Sequence, residues 1–136
     1  MSASLPHKRI GVAVIKKQGK ILIDRRKTGG EMGGLWEFPG GKIEPGETVV
    51  ECIKREIREE LALEILVGDL LTTITHVYQT FKVTLYVHEC EYLGGTPQAL
   101  ACEEILWVEP SQIHHYQFPQ ANIQIINLLQ QRAMSK

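Results

Sequence analysis

The segment GGKIEPGETVVECIKREIREELAL, residues 40 to 63, constrains the fold of this chain more than any other. Thr48 with Glu51 three residues later is a capping-box pattern, which predicts a helix over residues 48 to 61. Apolar side chains recur at helical spacing and predict the buried face of this helix: Val50, Ile53, Ile57 and Leu61. The two glycines and the lysine before the helix predict a turn, because glycine adopts backbone shapes that other residues resist.

Segments of alternating polarity surround this helix and predict a sheet. In the first of them, Ile10 and Val12 fall on one face of a strand, while Ala13 and Ile15 fall on the other. Strands are predicted over residues 8–16, 20–25, 66–79, 81–91 and 104–108, a loop with a short extended end over 28–38, and a last helix after Pro119. The order β-β-α-β-β-β-α predicts the α/β class, as an α/β/α sandwich with a mixed β-sheet.

Length and composition limit the classes of protein that this chain can belong to. Its 136 residues give one domain, which we expect to span residues 1–136. A net charge of −1 argues against binding long nucleic acid by bulk electrostatics. No apolar run approaches the roughly 18 residues of a membrane span, and the N-terminus lacks the apolar core of a secretory signal. We therefore expect a cytoplasmic protein without a membrane segment, and nothing in the sequence demands more than a monomer.

The cysteines and histidines give no sign of a zinc or disulfide framework. Cys52, Cys90 and Cys102 form no CxxC pair, so we predict buried free thiols. His76 and the pair His114-His115 have no acidic partner at ligand spacing, and we predict structural or loop roles for them.

Three carboxylates at the end of the first predicted helix indicate a site for a hard divalent cation rather than for zinc. Glu56, Glu59 and Glu60 lie at i, i+3 and i+4, within a sector of about 100° on one helix face. Like charges at this spacing cost a few tenths of a kcal/mol per pair, unless a cation lies against them. Hard cations such as Mg²⁺ prefer carboxylate and carbonyl oxygens. The alternative is a solvated acidic face that Arg55 and its basic neighbours neutralise through local salt bridges.

The spacing of the whole segment closely resembles the Nudix box, GX5EX7REUXEEXGU, in which U is a bulky aliphatic residue. From Gly41 the sequence runs through Glu47 to Arg55-Glu56 and on to Glu59-Glu60 at the spacing of that motif. One position departs, since Ala62 stands where the motif has its last glycine. If that position requires a positive φ, alanine costs on the order of 1 kcal/mol there.

The resemblance to the Nudix family extends over nearly the whole chain, and it implies a Nudix-type α/β/α sandwich. Members hydrolyse nucleoside diphosphates linked to another moiety, with Mg²⁺ or Mn²⁺ as cofactor. The resemblance implies metal binding by the carbonyl of Gly40 and by the carboxylates of Glu56, Glu59 and Glu60. It also implies that Glu47 and Arg55 orient these ligands through hydrogen bonds and ion pairs. The general base is either Glu56 or an acid before the last strand, Glu103 or Glu104, and the sequence does not choose among them.

Three segments resemble the MutT-type branch of the family, which hydrolyses 8-oxo-dGTP. They are ILIDRR at 21–26, LWEFPGGKIEPGE at 35–47 and FPQAN at 118–122. This resemblance implies a nucleoside triphosphate substrate, attacked by water at the β-phosphorus, and substrate contacts from Arg26, Glu37, Phe38, Tyr78 and Asn122. The Asn122 amide offers both a donor and an acceptor to the edge of an oxidised purine. Four of these five contacts have a structural alternative: a helix cap for Asn122, a core position for Phe38, and surface positions for Arg26 and Glu37.

Other functions on the same scaffold stay open at this point. The same box serves CTP and other pyrimidine triphosphates, so only the base pocket distinguishes these substrates. A non-catalytic module that binds oxidised guanine is the main alternative of another class, and a protein-binding adaptor is a third. Non-catalytic relatives usually lose box carboxylates, and this chain keeps all of them.

Overall fold

A mixed sheet forms the middle layer of the protein, with one helix on each face. The computed structural model describes residues 4–30 and 32–134. Within these residues the strands are β1 (His7–Lys17), β2 (Lys20–Arg25), β3 (Trp36–Glu37), β4 (Gly40–Lys42), β5 (Glu64–Val77), β6 (Lys82–Gly94) and β7 (Glu104–Val108). The helices are α1 (Val49–Leu61) and α2 (Ile123–Met134), with 3₁₀ helices over Pro110–His115 and Gln120–Asn122. This confirms the predicted α/β/α sandwich. No helix in the described part of the chain is long and apolar enough to cross a membrane.

The sheet has the order β3-β2-β1-β6-β5, with β4 added to β1 and β7 added to β2. Strands β1 and β6 run parallel, and the other pairs are antiparallel. Two strands share one side of β1: β2 pairs with its end, where Lys16 lies opposite Ile21, and β4 pairs with its beginning, where Val12 lies opposite Gly40. Because β2 and β4 diverge from this shared side, a gap opens between them, and the candidate site lies at that gap.

Each face of the sheet carries its own apolar core, as the alternation in β1 predicts. Val12 and Val14 pack in the core that includes Ile125 of α2. Ala13 and Ile15 pack in the core that includes Ile53 and Ile57 of α1. The alternating side chains of one strand therefore hold both helices.

Both predicted helices are confirmed. Thr48 caps α1, because its hydroxyl accepts a hydrogen bond from the Glu51 N–H at 3.1 Å and Glu51 accepts from the Thr48 N–H at 2.9 Å. Ala62 ends the helix in the left-handed region, with φ 57° and ψ 34°. The conformation that favours glycine at this motif position is thus present with alanine in it.

The predicted strands differ from the observed ones mainly at their ends, with one larger error. Strands predicted over 66–79 and 81–91 are Glu64–Val77 and Lys82–Gly94 in the structure. The prediction of a turn at the glycine pair was wrong, because Gly40–Lys42 is strand β4. The edge of β1 offers it a partner, and a methyl group on Gly40 would overlap the Gly11 backbone. The single domain over 1–136 stays a prediction, and residues 1–3, 31, 135 and 136 lie outside the described part.

The three cysteines are buried and free, as predicted. Burial raises the pKa of the Cys52 thiol to about 11, that of Cys90 to about 12 and that of Cys102 to about 11. These thiols are therefore protonated at neutral pH and are poor nucleophiles.

Candidate active site

Two adjoining cavities open where β2 and β4 diverge. The first, which we call the acidic cavity, has a volume of about 420 Å³. It is lined by four acids, Asp24, Glu37, Glu56 and Glu60, and by the glycines of β4. The second, the apolar cavity, has a volume of about 220 Å³. Its walls include Phe38, Tyr78, Phe81, Val83, Leu85 and Asn122. Arg26, Glu37 and Gly40 line both cavities, so the two form one continuous cleft.

Arg55 is the centre of a network that ties α1 to the segment before it. Its guanidinium donates to both oxygens of Glu47, at 2.7 and 3.0 Å, and to the carbonyl of Lys42 at 3.2 Å. It also donates to Glu56 at 2.8 Å and to Glu59 at 3.3 Å. The hydrogen bonds from Arg55 lower the pKa of Glu47 to about 2. The structure therefore brings Glu47 and Arg55 together with two of the box acids, in the arrangement that an orienting role requires.

Glu60 lies in the last turn of α1 and faces other carboxyl groups. Burial, contact with Glu56, and the charges of Asp24 and Glu37 raise the pKa of Glu60 to about 9. A carboxylate in such a place is stabilised only by a proton or a cation.

Asp24 is a member of the acidic cavity that the sequence analysis missed. It follows Leu22 on the face of β2 that packs against α1, and it lies directly opposite Glu37 of β3. Only 3% of its surface is exposed. Burial, followed by the charge of Glu37, raises the pKa of Asp24 to about 8. The available signal in the sequence was an acid that directly follows the three apolar residues of ILIDR.

The predicted metal ligands are partly assembled. Glu56, Glu60 and Gly40 line the acidic cavity, but the structure does not bring Glu59 to them. The Glu59 side chain is 60% exposed and bonds to Arg55. Within residues 4–30 and 32–134, no three side chains of His, Cys, Asp or Glu together form a metal-holding group.

The donors that do line the cavity fit a hard divalent cation. They are carboxylate and carbonyl oxygens, and such a cation commonly takes one or two carboxylates and completes its coordination with phosphate and water. A methyl group on Gly41 would overlap the Glu56 carboxylate, so glycine leaves the space that this carboxylate occupies. The crowding of acids around Glu60 raises its pKa, and a bound cation relieves this crowding in place of a proton.

The two other candidate bases, Glu103 just before β7 and Glu104 at its first residue, do not line either cavity. Glu103 is exposed, and its backbone N–H donates to the Arg25 carbonyl at 2.9 Å. Glu104 forms an ion pair with the Arg25 side chain at 3.4 Å. Neither acid lines the acidic cavity, whereas Glu56 does, so position favours Glu56 as the base.

The apolar cavity collects the residues that were expected to contact the base. Phe38 is buried and packs against Phe118, with ring centroids 5.2 Å apart, and it also lines the apolar cavity. It is therefore both a core residue and part of the cavity wall. The Tyr78 hydroxyl accepts a hydrogen bond from the Ala121 N–H at 2.9 Å. Asn122 ends the 3₁₀ helix of the same segment.

Asn122 is 9% exposed and lines the apolar cavity. Among the described residues, its amide group has no hydrogen-bond partner. The helix-cap alternative for Asn122 is therefore not supported, and its donor and acceptor are available to a bound molecule.

An ion pair marks the junction of the two cavities. Arg26 donates to Glu37 at 3.0 Å, and their side chains are 41% and 26% exposed. Both residues line both cavities, so they are not simply surface residues. A molecule that fills both cavities therefore lies against Arg26 and Glu37.

The histidines lie in structural surroundings. His76 packs edge-on against Tyr78 at 4.5 Å. His114 forms a hydrogen bond with Gln130 of α2 at 2.9 Å.

Comparisons with known proteins agree with this cleft. A family model described as "NUDIX domain" matches residues 11–128. The CTP pyrophosphohydrolase of Escherichia coli K12 is 32% identical over 84% of this chain and 84% of its own length. The 8-oxo-dGTP diphosphatase of Haemophilus influenzae is 30% identical over 89% of this chain and 90% of its own length. The solution structure of the E. coli ORF135 protein superposes with a TM-score of 0.81 at 28% identity, covering 97% of this chain and 94% of that one.

The chain belongs to the Nudix family, with the box on α1 and the family fold around it. It is a Nudix hydrolase, similar to the MutT-type diphosphatases. Nudix hydrolases generally use divalent metal ions, in agreement with the oxygen donors of the acidic cavity.

Proposed function

We propose that this protein is a divalent-metal-dependent nucleoside triphosphate pyrophosphohydrolase and that 8-oxo-dGTP is its substrate. The observation that carries the proposal is the continuous cleft, in which an acidic cavity adjoins an apolar one at Arg26 and Glu37. A nucleoside triphosphate has the same division, with a polyphosphate at one end and a flat base at the other. The cleft thus matches the two parts of such a substrate in chemistry and in order.

Gly40, Glu56 and Glu60 are the residues that would hold Mg²⁺ or Mn²⁺, with Glu59 available from the next position on the helix. A bound cation offsets phosphate charge and makes a water molecule more acidic. In a cavity of about 420 Å³ the polyphosphate lies close to the carboxyl groups of the lining, and the cation reduces the repulsion between them.

The chain's own part in the reaction is positioning and proton transfer. Arg55 fixes the Glu56 carboxylate through a 2.8 Å hydrogen bond, and Glu56 is the acid that would accept a proton from the attacking water. Water attacks the β-phosphorus, the bond to the bridging α–β oxygen breaks, and the products are a nucleoside monophosphate and pyrophosphate. Arg26, at the junction, lies where it can bind the sugar–phosphate part of the substrate.

The base is held in the apolar cavity. Phe38 and Tyr78 supply apolar walls, and the Asn122 amide supplies one donor and one acceptor. 8-Oxoguanine differs from guanine at O8 and N7–H, so a fixed polar group is needed to distinguish them. The similarity to the H. influenzae 8-oxo-dGTP diphosphatase supports this choice of base.

CTP is the second candidate substrate. The observation that favours it is the 32% identity with the E. coli CTP pyrophosphohydrolase, which covers 84% of both chains. The acids of α1 serve either nucleotide, so the decision between them lies in the apolar cavity alone.

The test is pyrophosphate release from 8-oxo-dGTP, dGTP, CTP and dCTP with Mg²⁺, repeated with excess chelator. We expect release from 8-oxo-dGTP to be fastest and chelation to abolish it. Glu60→Gln should lower turnover by orders of magnitude in a folded protein, since each tenfold loss corresponds to about 1.4 kcal/mol of transition-state stabilisation. Full hydrolysis in chelator refutes the metal dependence, and a preference for CTP replaces the purine substrate.

A further inference from the structure

Lys8 places a positive charge in a part of the apolar cavity that the acidic cavity does not share. It lies near the beginning of β1, opposite Val83 in the parallel pairing of β1 with β6. Val83 lines the same cavity, and so does Ile10, the next residue of β1 on that face. The Lys8 side chain therefore lies on the sheet face that forms one wall of the cavity.

An aromatic ring holds the Lys8 ammonium. Its Nζ atom lies 4.1 Å from the centre of the Phe81 ring. Phe81 packs against Tyr78, with ring centroids 4.8 Å apart, and the Tyr78 N–H donates to the Phe81 carbonyl at 2.8 Å. The ring face attracts the cation, and the aromatic pair limits the positions that the ammonium can take. Because an ammonium carries three N–H donors, it can contact a ring and donate a hydrogen bond at the same time.

The edge of 8-oxoguanine has more polar groups than Asn122 can satisfy. That edge presents the O6 carbonyl, the N7–H and the O8 carbonyl in a row, which is the order acceptor, donor, acceptor. The Asn122 amide matches two neighbouring positions, because it has one oxygen and one NH₂ group. One carbonyl oxygen is then left in an apolar cavity, where an acceptor without a donor is costly.

Lys8 is better placed to supply the missing donor than the other polar side chains of this cavity. Arg26 donates to Glu37 at the junction with the acidic cavity, so its charge lies toward the polyphosphate. The Tyr78 hydroxyl is tied to the Ala121 N–H, from which it accepts a hydrogen bond at 2.9 Å. Lys8 does not line the acidic cavity, and its ammonium is carried on a flexible stem.

We propose that Lys8 is a specificity-determining residue whose ammonium donates to an exocyclic carbonyl oxygen of the bound base. With the Asn122 amide it completes a donor, acceptor, donor set that matches the edge of 8-oxoguanine. A hydrogen bond from a charged donor is roughly twice as strong as one between neutral groups. Adenine has no exocyclic oxygen, so it gains nothing from this ammonium. The inference rests on the proposed function, because a nucleobase must occupy the apolar cavity.

The test measures the binding of nucleoside monophosphates, so that it does not depend on hydrolysis. Isothermal titration calorimetry of the full chain with Mg²⁺ gives the Kd of 8-oxo-dGMP, dCMP and dAMP. Lys8→Met is the test variant, because methionine keeps an unbranched apolar side chain and removes the ammonium, and Lys8→Arg restores a charged donor. Lys17→Met is the matched control. Lys17 also lies on β1 over an aromatic ring, 4.3 Å from the centre of Tyr92, but it lines neither cavity.

We expect Lys8→Met to bind 8-oxo-dGMP about tenfold more weakly than the wild type, while its unchanged affinity for dAMP shows that it is folded. Lys8→Arg should recover most of the loss, and Lys17→Met should match the wild type for every nucleotide. An equal loss for 8-oxo-dGMP and dAMP overturns the inference, because the ammonium then acts on the phosphate. Wild-type affinity of Lys8→Met for 8-oxo-dGMP and dCMP overturns it as well.

The same experiment separates this inference from the proposed function. A loss confined to the oxygen-bearing bases in Lys8→Met, together with no hydrolysis of any triphosphate by the wild type, supports the role of Lys8 and refutes the proposed reaction. Hydrolysis by the wild type with unchanged binding in Lys8→Met supports the reaction and overturns the role of Lys8. A larger loss for dCMP than for 8-oxo-dGMP supports Lys8 as a donor to O2 of cytosine and replaces the purine base.

Discussion

Replacing Glu60 by glutamine should stabilise the metal-free protein even as it removes activity. Glu60 is crowded by Glu56, Asp24 and Glu37, and its pKa is raised from its ordinary value of 4.5 to about 9. In the unfolded chain this carboxyl group loses its proton near pH 4.5, whereas the folded protein retains it to much higher pH. The unfolding free energy therefore falls as pH rises from about 4.5 to about 9, and it stays low above that range.

The size of the effect follows from the shift. At pH 8 the pH is about 3.5 units above the pKa of this carboxyl group in the unfolded chain, while the folded protein still holds the proton. At 1.36 kcal/mol per unit, the upper limit of the loss in unfolding free energy is roughly 5 kcal/mol. Glu60 is not fully buried, and rotation toward water relieves part of this cost. We expect Glu60→Gln to raise the unfolding free energy at pH 8 by about 2 kcal/mol. The glutamine amide can also donate to Glu56, in place of the proton that Glu60 holds.

The assay is urea denaturation of metal-free protein at several pH values between 5 and 9. Glu59→Gln is the matched control, because Glu59 is the adjacent residue and its side chain is 60% exposed. Wild type and Glu59→Gln should lose stability as pH rises, while Glu60→Gln should show a flatter profile. Equal pH profiles for Glu60→Gln and wild type would refute the argument that carboxylate crowding strains this site.

Three further predictions test other parts of the structure. Asn122→Ala should lower kcat/KM for 8-oxo-dGTP much more than for dGTP, by about 1–3 kcal/mol, and an equal loss in steady-state kinetics would show that its amide does not read the base. Ala62→Gly should stabilise the protein by about 1 kcal/mol in thermal denaturation, since φ is 57° there, whereas Gly19→Ala at φ 80° should destabilise it by a similar amount. Because Arg55 lowers the pKa of Glu47 to about 2, the stability that this pair provides should be present above pH 4.5 and lost as pH falls toward 2. A Glu47→Gln variant that keeps the acid transition of the wild type would contradict that assignment.

The sequence predicted the parts of the fold that follow from local patterns. The capping residues and apolar stripe of α1 lie in one segment, and the capping residues are as predicted. In the predicted stripe Ile53, Ile57 and Leu61 are buried, but the prediction for Val50 was wrong, because it is 37% exposed in the first turn and Cys52 is buried instead. Strand β4 was not predicted because it has only three residues, two of them glycines, and therefore shows no alternation of polar and apolar side chains. It forms only because β1 offers an unpaired edge, which is a property of the assembled sheet.

The candidate site divides in the same way. The box fixes Glu47, Arg55 and Glu56 on one helix, so spacing alone brings them together. Asp24 joins them through the pairing of β2 with β3 and the packing of Leu22 on α1, and neither contact can be read from one segment. For Glu59 the local pattern was misleading. Helical spacing predicted that its side chain lies with that of Glu60, but the Glu59 carboxylate accepts a hydrogen bond from Arg55 instead.

Where β2 and β4 diverge from β1, the two ends of the cleft share Arg26, Glu37 and Gly40 but take most of their remaining lining from different residues. The acidic end is built from β2, β4 and α1, while the apolar end depends on β6 and on the segments around Tyr78 and Asn122. Substitutions in those two segments can reshape the apolar end without disturbing an acid on α1. Proteins with this fold can thus change the nucleobase that they bind while the acids that hold the metal stay the same. This chain is 32% identical to a relative named for a pyrimidine nucleotide and 30% identical to one named for an oxidised purine nucleotide. A base pocket that can change separately from the acids of α1 permits both kinds of relative.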